Sequence, residues 1–374
     1  MERRRATVFA AVAVVVIALA AVLGLISGGS GDDDGTPVAE PSPLASLSLK
    51  QIAGQRLIAG FDGTEPPKKL LKMLAAGELA GVILFADNIG DRGSTREMTD
   101  ALQEAAAKGP IDDPLLVMVD QEGGEVSRIV GPPVASAEGM ARRGADFAAE
   151  QGRATAALLR DYGINVDLAP VLDLARPGSA VADERRSFGS KPGEVIDLGV
   201  DGFAAGLRDG GIAATAKHFP GLGAAGVNTD FDAQTISLPR KKLRADEEPF
   251  AAFADSGGEL VMLGLASYSA FGNVPAALDP EIATGELRGR LGYGGVSITD
   301  SLDAAAALAW GDRTQVALAA AGAGSDLLLY GDPRTAAGSL HDLVAALRSG
   351  DLERAPFRRS AARVLALRAD VGDG

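Results

Sequence analysis

From Ser46 onward the chain alternates short apolar runs with longer segments of helical period. The runs are RLIAGF (56–61), GVILFA (81–86), LLVMVD (115–120), INVDLAP (164–170), IAATAKHF (212–219), ELVMLGL (259–265), GVSITD (295–300) and SDLLLY (325–330). Each is short and almost unbroken in its apolar character, the signature of a strand buried on both faces. Between them, Ala-, Leu- and Glu-rich segments at 95–107, 140–160, 195–209, 240–254 and 313–321 predict helices. Eight buried strands alternating with helices imply a parallel sheet, and eight is the number that closes a (β/α)8 barrel. The expectation is an α/β fold, a TIM-type barrel forming a single catalytic domain over residues 46–374. An open doubly wound sheet is the competitor. Its one supporting motif is the G-x-G-x-x-G of GLGAAG at 221–226. The following VNTDFDAQTISLP has no helical period, so this loop does not open a helix as a dinucleotide fingerprint must. About 40 residues follow the eighth run, enough for one or two closing helices.

The N-terminus reads differently. Arg3, Arg4 and Arg5 precede a run of small and apolar residues from Ala6 to Ile26. At about 1.5 Å per residue, such a helix spans roughly 30 Å, the thickness of a bilayer core. The basic flank stays cytoplasmic by the positive-inside rule. Residues 1–26 are therefore expected to be a membrane anchor, with a cleaved signal peptide as the alternative. Either way the rest of the chain is exported, to the outer side of the cell membrane or into the medium. Residues 27–45, rich in Gly, Asp, Pro and Ser, read as a flexible linker.

A net charge of −14 with no basic patch beyond the extreme N-terminus argues against a nucleic-acid partner. The chain has no cysteine, which excludes disulfides, thiolate catalysis and the acceptor of a lipoprotein anchor. It has two histidines, His218 and His341, far apart in sequence, and no ligand spacing for a metal. Neither a metal nor a cofactor is expected.

Polar residues fall where a barrel enzyme needs them. Asp120 ends the third run, Asp173 follows the fourth, Lys217 and His218 lie in the fifth, and Asp300 ends the seventh. In a (β/α)8 barrel these strand ends form the catalytic face. An Asp after a strand is also the favoured N-cap of the next helix, which is the alternative for each taken alone. Together they point to one polar pocket.

Read in order, VDQEGGEVSRI (119–129), APVLDL (169–174), ERRSFGS (184–190), KHFPG (217–221) and SITDSLD (297–303) resemble family 3 glycoside hydrolases. The similarity is to the single-domain β-N-acetylglucosaminidases that act on peptidoglycan fragments. It implies that Asp120, Arg128, Arg186, Lys217 and His218 hold the hydroxyls and N-acetyl group of a sugar. It also implies that Asp300 is the nucleophile of a retaining mechanism through a covalent glycosyl-enzyme. The carbohydrate partner would be a β-linked amino-sugar glycan.

The chain departs from the family at one loop. Single-domain members carry an Asp-x-His dyad after KHFPG as general acid/base. Here the segment reads Asp230-Phe231-Asp232, and the second His of the usual KHFPGHG is Leu222. Asp230 keeps the catalytic Asp of the dyad, and the acid/base is then Asp232, another carboxylate, or absent. Besides a β-N-acetylhexosaminidase, two readings stay open: a glycan-binding barrel with impaired catalysis, and a β-glucosidase-like enzyme.

Overall fold

In the computed structural model the described residues are 44–372. The expected anchor at 1–26 and almost all of the linker at 27–45 lie outside them. Among the described residues no helix is long and apolar enough to cross a membrane.

Eight strands form one parallel sheet: β1 (Leu57–Ala59), β2 (Gly81–Leu84), β3 (Leu116–Val119), β4 (Val166–Asp167), β5 (Ala213–Phe219), β6 (Leu260–Leu263), β7 (Val296–Thr299) and β8 (Leu328–Tyr330). Their order is β7-β6-β5-β4-β3-β2-β1-β8. A parallel bridge from Ile298 to Leu327 brings the two edges together. There Leu327 N–H donates to Ser297 O at 2.8 Å and Thr299 N–H to Leu327 O at 2.9 Å. The sheet is therefore barrel-like and nearly closed, and every strand lies within a run read from the sequence.

The unbroken apolar runs split by strand period into two cores. Ile58, Met118, Met262, Ile298 and Leu329 belong to an inner cluster, sealed by Val364 and Leu367 of the last helix, Arg354–Asp370. Leu57, Ala59, Val117, Val119 and Val261 join the outer cluster with the helices. At about 25 cal/mol per Å2, this two-sided burial is the main source of stability.

Two expected elements come out shorter. The run at 164–170 yields only Val166–Asp167 as strand, because Pro170 has no N–H to give a ladder. Its carbonyl still accepts from Lys217 N–H at 3.1 Å, which fixes the height of that lysine. The helix expected at 140–160 divides into Ala137–Ala141 and Ala145–Asp161. Gly144 between them has φ 93°, a left-handed turn that glycine adopts without penalty. The loop GLGAAG opens no helix. A Cβ on Gly223 would lie 2.0 Å from the carbonyl oxygen of Leu174, so this glycine serves close backbone packing.

Candidate active site

The carboxyl ends of β3, β5 and β7 surround a cavity of about 360 Å3. Asp120, Arg128, Arg186, Lys217, His218, Asp230 and Asp300 all line it, drawn together from sequence separations of up to 180 residues. Asp232 is not brought there. Its side chain is exposed, and Oδ1 accepts from the N–H of Ala233 at 2.9 Å.

The cavity wall is a web of paired charges. Lys217, buried on β5, holds Nζ 2.6 Å from Oδ1 of Asp120 and 2.6 Å from Oε1 of Glu122. Arg186 grips Glu122 with two parallel bonds, Nε to Oε2 at 2.8 Å and Nη2 to Oε1 at 2.9 Å. Its Nη1 donates to Glu184 at 3.0 Å. Arg128 Nη2 lies 3.6 Å from Asp120 Oδ2. Burial alone would raise the Glu122 carboxyl, but the charges of Arg186 and Lys217 outweigh it and hold the group well below the usual range. Burial likewise opposes the charge on Lys217, and Asp120 and Glu122 reverse that effect and raise its pKa. Both ions therefore persist across the physiological range. Their geometry leaves Asp120 and Arg128, at the cavity edge, to face a polar ligand.

His218 follows Lys217 directly, and both line the cavity. Adjacent residues of a regular strand face opposite ways. Here the pairing of β5 with β6 slips between Lys217 and Phe219, and such a bulge re-aims a side chain. His218 Nδ1 lies 2.7 Å from Oδ2 of the fully buried Asp173. That carboxylate accepts a hydrogen bond from Nδ1–H, which leaves Nε2 as the unprotonated ring nitrogen of the neutral imidazole.

Asp300 extends β7. Its N–H donates to Leu263 O at 3.0 Å, and its Oδ1 accepts from Ser301 N–H at 2.7 Å. The next helix begins only at Ala305, with Ala304 at its N-cap, so Asp300 caps no helix. Asp230 lines the cavity from the mouth while part of its surface stays open to solvent. Desolvation, reinforced by the negative charge of Asp300, pushes its carboxyl up to about 6. Asp230 thus holds its proton to a higher pH than an ordinary carboxyl does, which suits a general acid.

Beneath this layer, Asp167 on β4 is fully buried. Its Oδ1 accepts from Gln121 N–H at 3.0 Å and its Oδ2 has no partner. Burial drives its carboxyl well above the ordinary range. The N–H of Gln121 and the charge of Lys217 favour its anion, but burial, with the charges of Asp120 and Glu122, outweighs them.

The sequence matches the glycosyl hydrolase family 3 N-terminal domain over residues 47–367. The chain belongs to glycosyl hydrolase family 3. It is a glycoside hydrolase by that membership. It is 36% identical over 337 residues to an uncharacterized secreted glycosyl hydrolase of Arthroderma benhamiae, covering 87% of this chain and 95% of that protein. It is 32% identical over 294 residues to a β-hexosaminidase of Xanthomonas oryzae pv. oryzae, covering 76% and 86%. Among solved structures it superposes on a family 3 β-N-acetylglucosaminidase from a Paenibacillus species with TM-score 0.81 and 34% identity. That match covers 88% of this chain and 64% of the Paenibacillus chain, so this protein spans less than two thirds of that relative. A β-N-acetylhexosaminidase from Beutenbergia cavernae gives TM-score 0.80 and 32% identity, covering 87% and 99%.

Two residues of this family 3 site lie outside the set expected from the sequence. Glu122 sits inside the DQEGG motif, but its partners come from segments 64 and 95 residues away. Asp167 hides in an apolar run as its one charged residue. That break in the hydrophobic pattern was the signal available for it. Among the described residues, no group of three or more His, Asp or Glu is arranged to hold a metal ion.

Proposed function

We propose that this chain is an exported retaining β-N-acetylhexosaminidase that releases terminal β-linked N-acetylglucosamine from cell-wall or related glycans. The observation that carries the reading is a pair of carboxyls, Asp300 and Asp230, on one cavity walled by fixed cations, with Asp230 held up to about 6. In this mechanism Asp300 attacks the anomeric carbon while Asp230 gives its proton to the glycosidic oxygen. The C–O bond breaks, the aglycone leaves as an alcohol, and the sugar remains as an ester of Asp300. Asp230 then takes a proton from water, which attacks the same carbon and frees Asp300. Asp120, Arg128, Lys217 and His218 hold the sugar hydroxyls. Arg186 contributes chiefly by fixing Glu122 and, through it, Lys217. The choice of Asp230 over Asp232 as acid/base is supported by its position on the cavity and its raised pKa.

The amino-sugar preference is supported by similarity to proteins named β-hexosaminidase and β-N-acetylhexosaminidase. Export is supported by the Arg3–Arg5 and Ala6–Ile26 pattern. Of its two forms, secretion gains support from similarity to a protein named as secreted. The test is hydrolysis of activated aryl β-glycosides of N-acetylglucosamine, glucose and xylose by the protein. Turnover favouring N-acetylglucosamine upholds the reading, and a preference for glucose replaces it with a β-glucosidase. Sugar binding with no turnover of any of the three replaces it with a glycan-binding barrel.

A further inference from the structure

Six large hydrophobic side chains are left exposed among the described residues: Val130, Val134, Val227, Phe231, Leu308 and Trp310. Every one lies between a barrel strand and the long helix that follows it, in the segments after β3, β5 and β7. Those are the segments that build the cavity. Exposed apolar groups scattered over a surface mean little, whereas a set confined to the strand-to-helix segments at one end of a barrel marks a candidate binding surface. None of the six lines the cavity itself, and Val130 and Val134 line a separate depression.

Two of the six are aromatic, and the backbone ties them together. Phe231, 77% exposed, follows Asp230 directly. The helix Ala305–Trp310 is fastened to the same loop: Ala305 N–H donates to Asp230 O and Ala306 N–H to Thr229 O, both at 3.2 Å. Five residues of helix carry Trp310, 42% exposed, only about 7 Å further along its axis. Phe231 therefore stands on the loop that presents Asp230, the group proposed to protonate the leaving oxygen, and Trp310 lies at the far end of the short helix tied to that loop. The cavity itself is small. At about 360 Å3 it has room for a single sugar ring and sits at the lower end of the ~300–1,000 Å3 range of ligand sites. A second ring of the substrate must lie outside it, across the rim.

We infer that Phe231 and Trp310 form an aromatic platform for the aglycone sugar, so that the enzyme favours glycans of two or more rings over small aglycones. The inference rests on the glycosidase reading above. A pyranose ring has a face of C–H groups that is apolar. Covering it with an aromatic ring buries hydrophobic area from both partners. Phe231 also occupies the middle position of the Asp-x-Asp segment, where the chain departs from its family's dyad.

The experiment compares kcat/KM for the β-1,4-linked N-acetylglucosamine disaccharide with that for N-acetylglucosaminyl fluoride, whose leaving group is one atom. In Phe231→Ala and in Trp310→Ala the disaccharide-to-fluoride ratio is expected to fall about tenfold. An unchanged ratio overturns the platform. A second measurement needs no turnover. Trp310 is the sole tryptophan of the chain, so intrinsic fluorescence reports on it alone. Titrating the disaccharide into Asp300→Asn is expected to shift or quench that emission, and titrating free N-acetylglucosamine is not. Emission that ignores the disaccharide overturns the platform. If the unsubstituted protein cleaves neither substrate, the glycosidase reading fails instead. The fluorescence titration then still decides the platform in the same two ways.

Discussion

Nδ1 of His218 lies 2.7 Å from Oδ2 of Asp173, a carboxylate with no exposed surface. Asp173 also accepts from the backbone N–H groups of His218 and Leu222. It thus orients a ring that lines the cavity and anchors the loop leading to Asp230. Asp173→Asn offers the ring an amide in place of a charge-assisted acceptor, a loss of about 1.5–3 kcal/mol. The expected cost is roughly ten- to a hundredfold in kcat/KM on an activated aryl glycoside, with the far-UV circular dichroism of the barrel retained. A variant with unchanged kcat/KM would remove His218 from the sugar site.

Asp300 is the proposed nucleophile. Asp300→Ala is expected to lower turnover of even the most activated aryl glycoside by on the order of 10⁴–10⁶, the scale of losing a covalent nucleophile. Binding of the sugar, read by calorimetry, should survive. Mass spectrometry after treatment with a fluoro-sugar inactivator should find the label on Asp300. A label on any other carboxylate refutes the assignment.

Asp230 and Asp232 separate cleanly. Asp230→Ala is expected to cost about 10²–10⁴ on substrates with poor leaving groups and far less on activated ones. Only a poor leaving group needs its oxygen protonated in the transition state. Added azide should restore part of the second step, because an anion attacks the glycosyl-enzyme without a base. Asp232→Ala, at a solvent-facing side chain, should leave both rates within twofold, about 0.4 kcal/mol. The reverse ranking of the two variants would return the acid role to Asp232.

The same group sets a pH limb. With its carboxyl raised to about 6, Asp230 holds the catalytic proton below that pH and loses it above. The rate on poor leaving groups should therefore fall as pH rises through about 6. Asp230→Asn should abolish this limb. A limb that persists in Asp230→Asn assigns it to another residue.

Asp167 affects stability with a defined sign. Its folded pKa lies above the unfolded value of about 3.9. Stability from its protonation is complete below that value and is lost as pH rises through the folded value. Asp167→Asn keeps the acceptor for Gln121 N–H and carries no titratable charge. Thermal melts should show the variant gaining on the parent from pH 4 to pH 8, at most about 1.4 kcal/mol for each pH unit crossed. A difference independent of pH would mean that Asp167 is ionised in the fold.

The repeating architecture was written in the sequence, because a strand buried on both faces must be apolar throughout. Eight such runs leave few folds available. The polar residues ending those runs were legible for the same reason: an ionisable group at the edge of an apolar strand has no packing role. Helix boundaries and the two-residue β4 were less so, since Gly144 and Pro170 act through backbone geometry that a periodic pattern does not carry. Which carboxylate of Asp230-Phe231-Asp232 turns to the cavity was decided only by tertiary structure. The loop has no period, and its direction follows from hydrogen bonds to the distant helix at 305–310. The partners of Arg186 were equally hidden, because pairing across 64 residues to Glu122 depends on where the segments after β3 and β4 meet in space. Residue type and order along one chain set the candidates. Closing the sheet determined which of them face one another, because only then do the ends of β3, β5 and β7 share a single cavity.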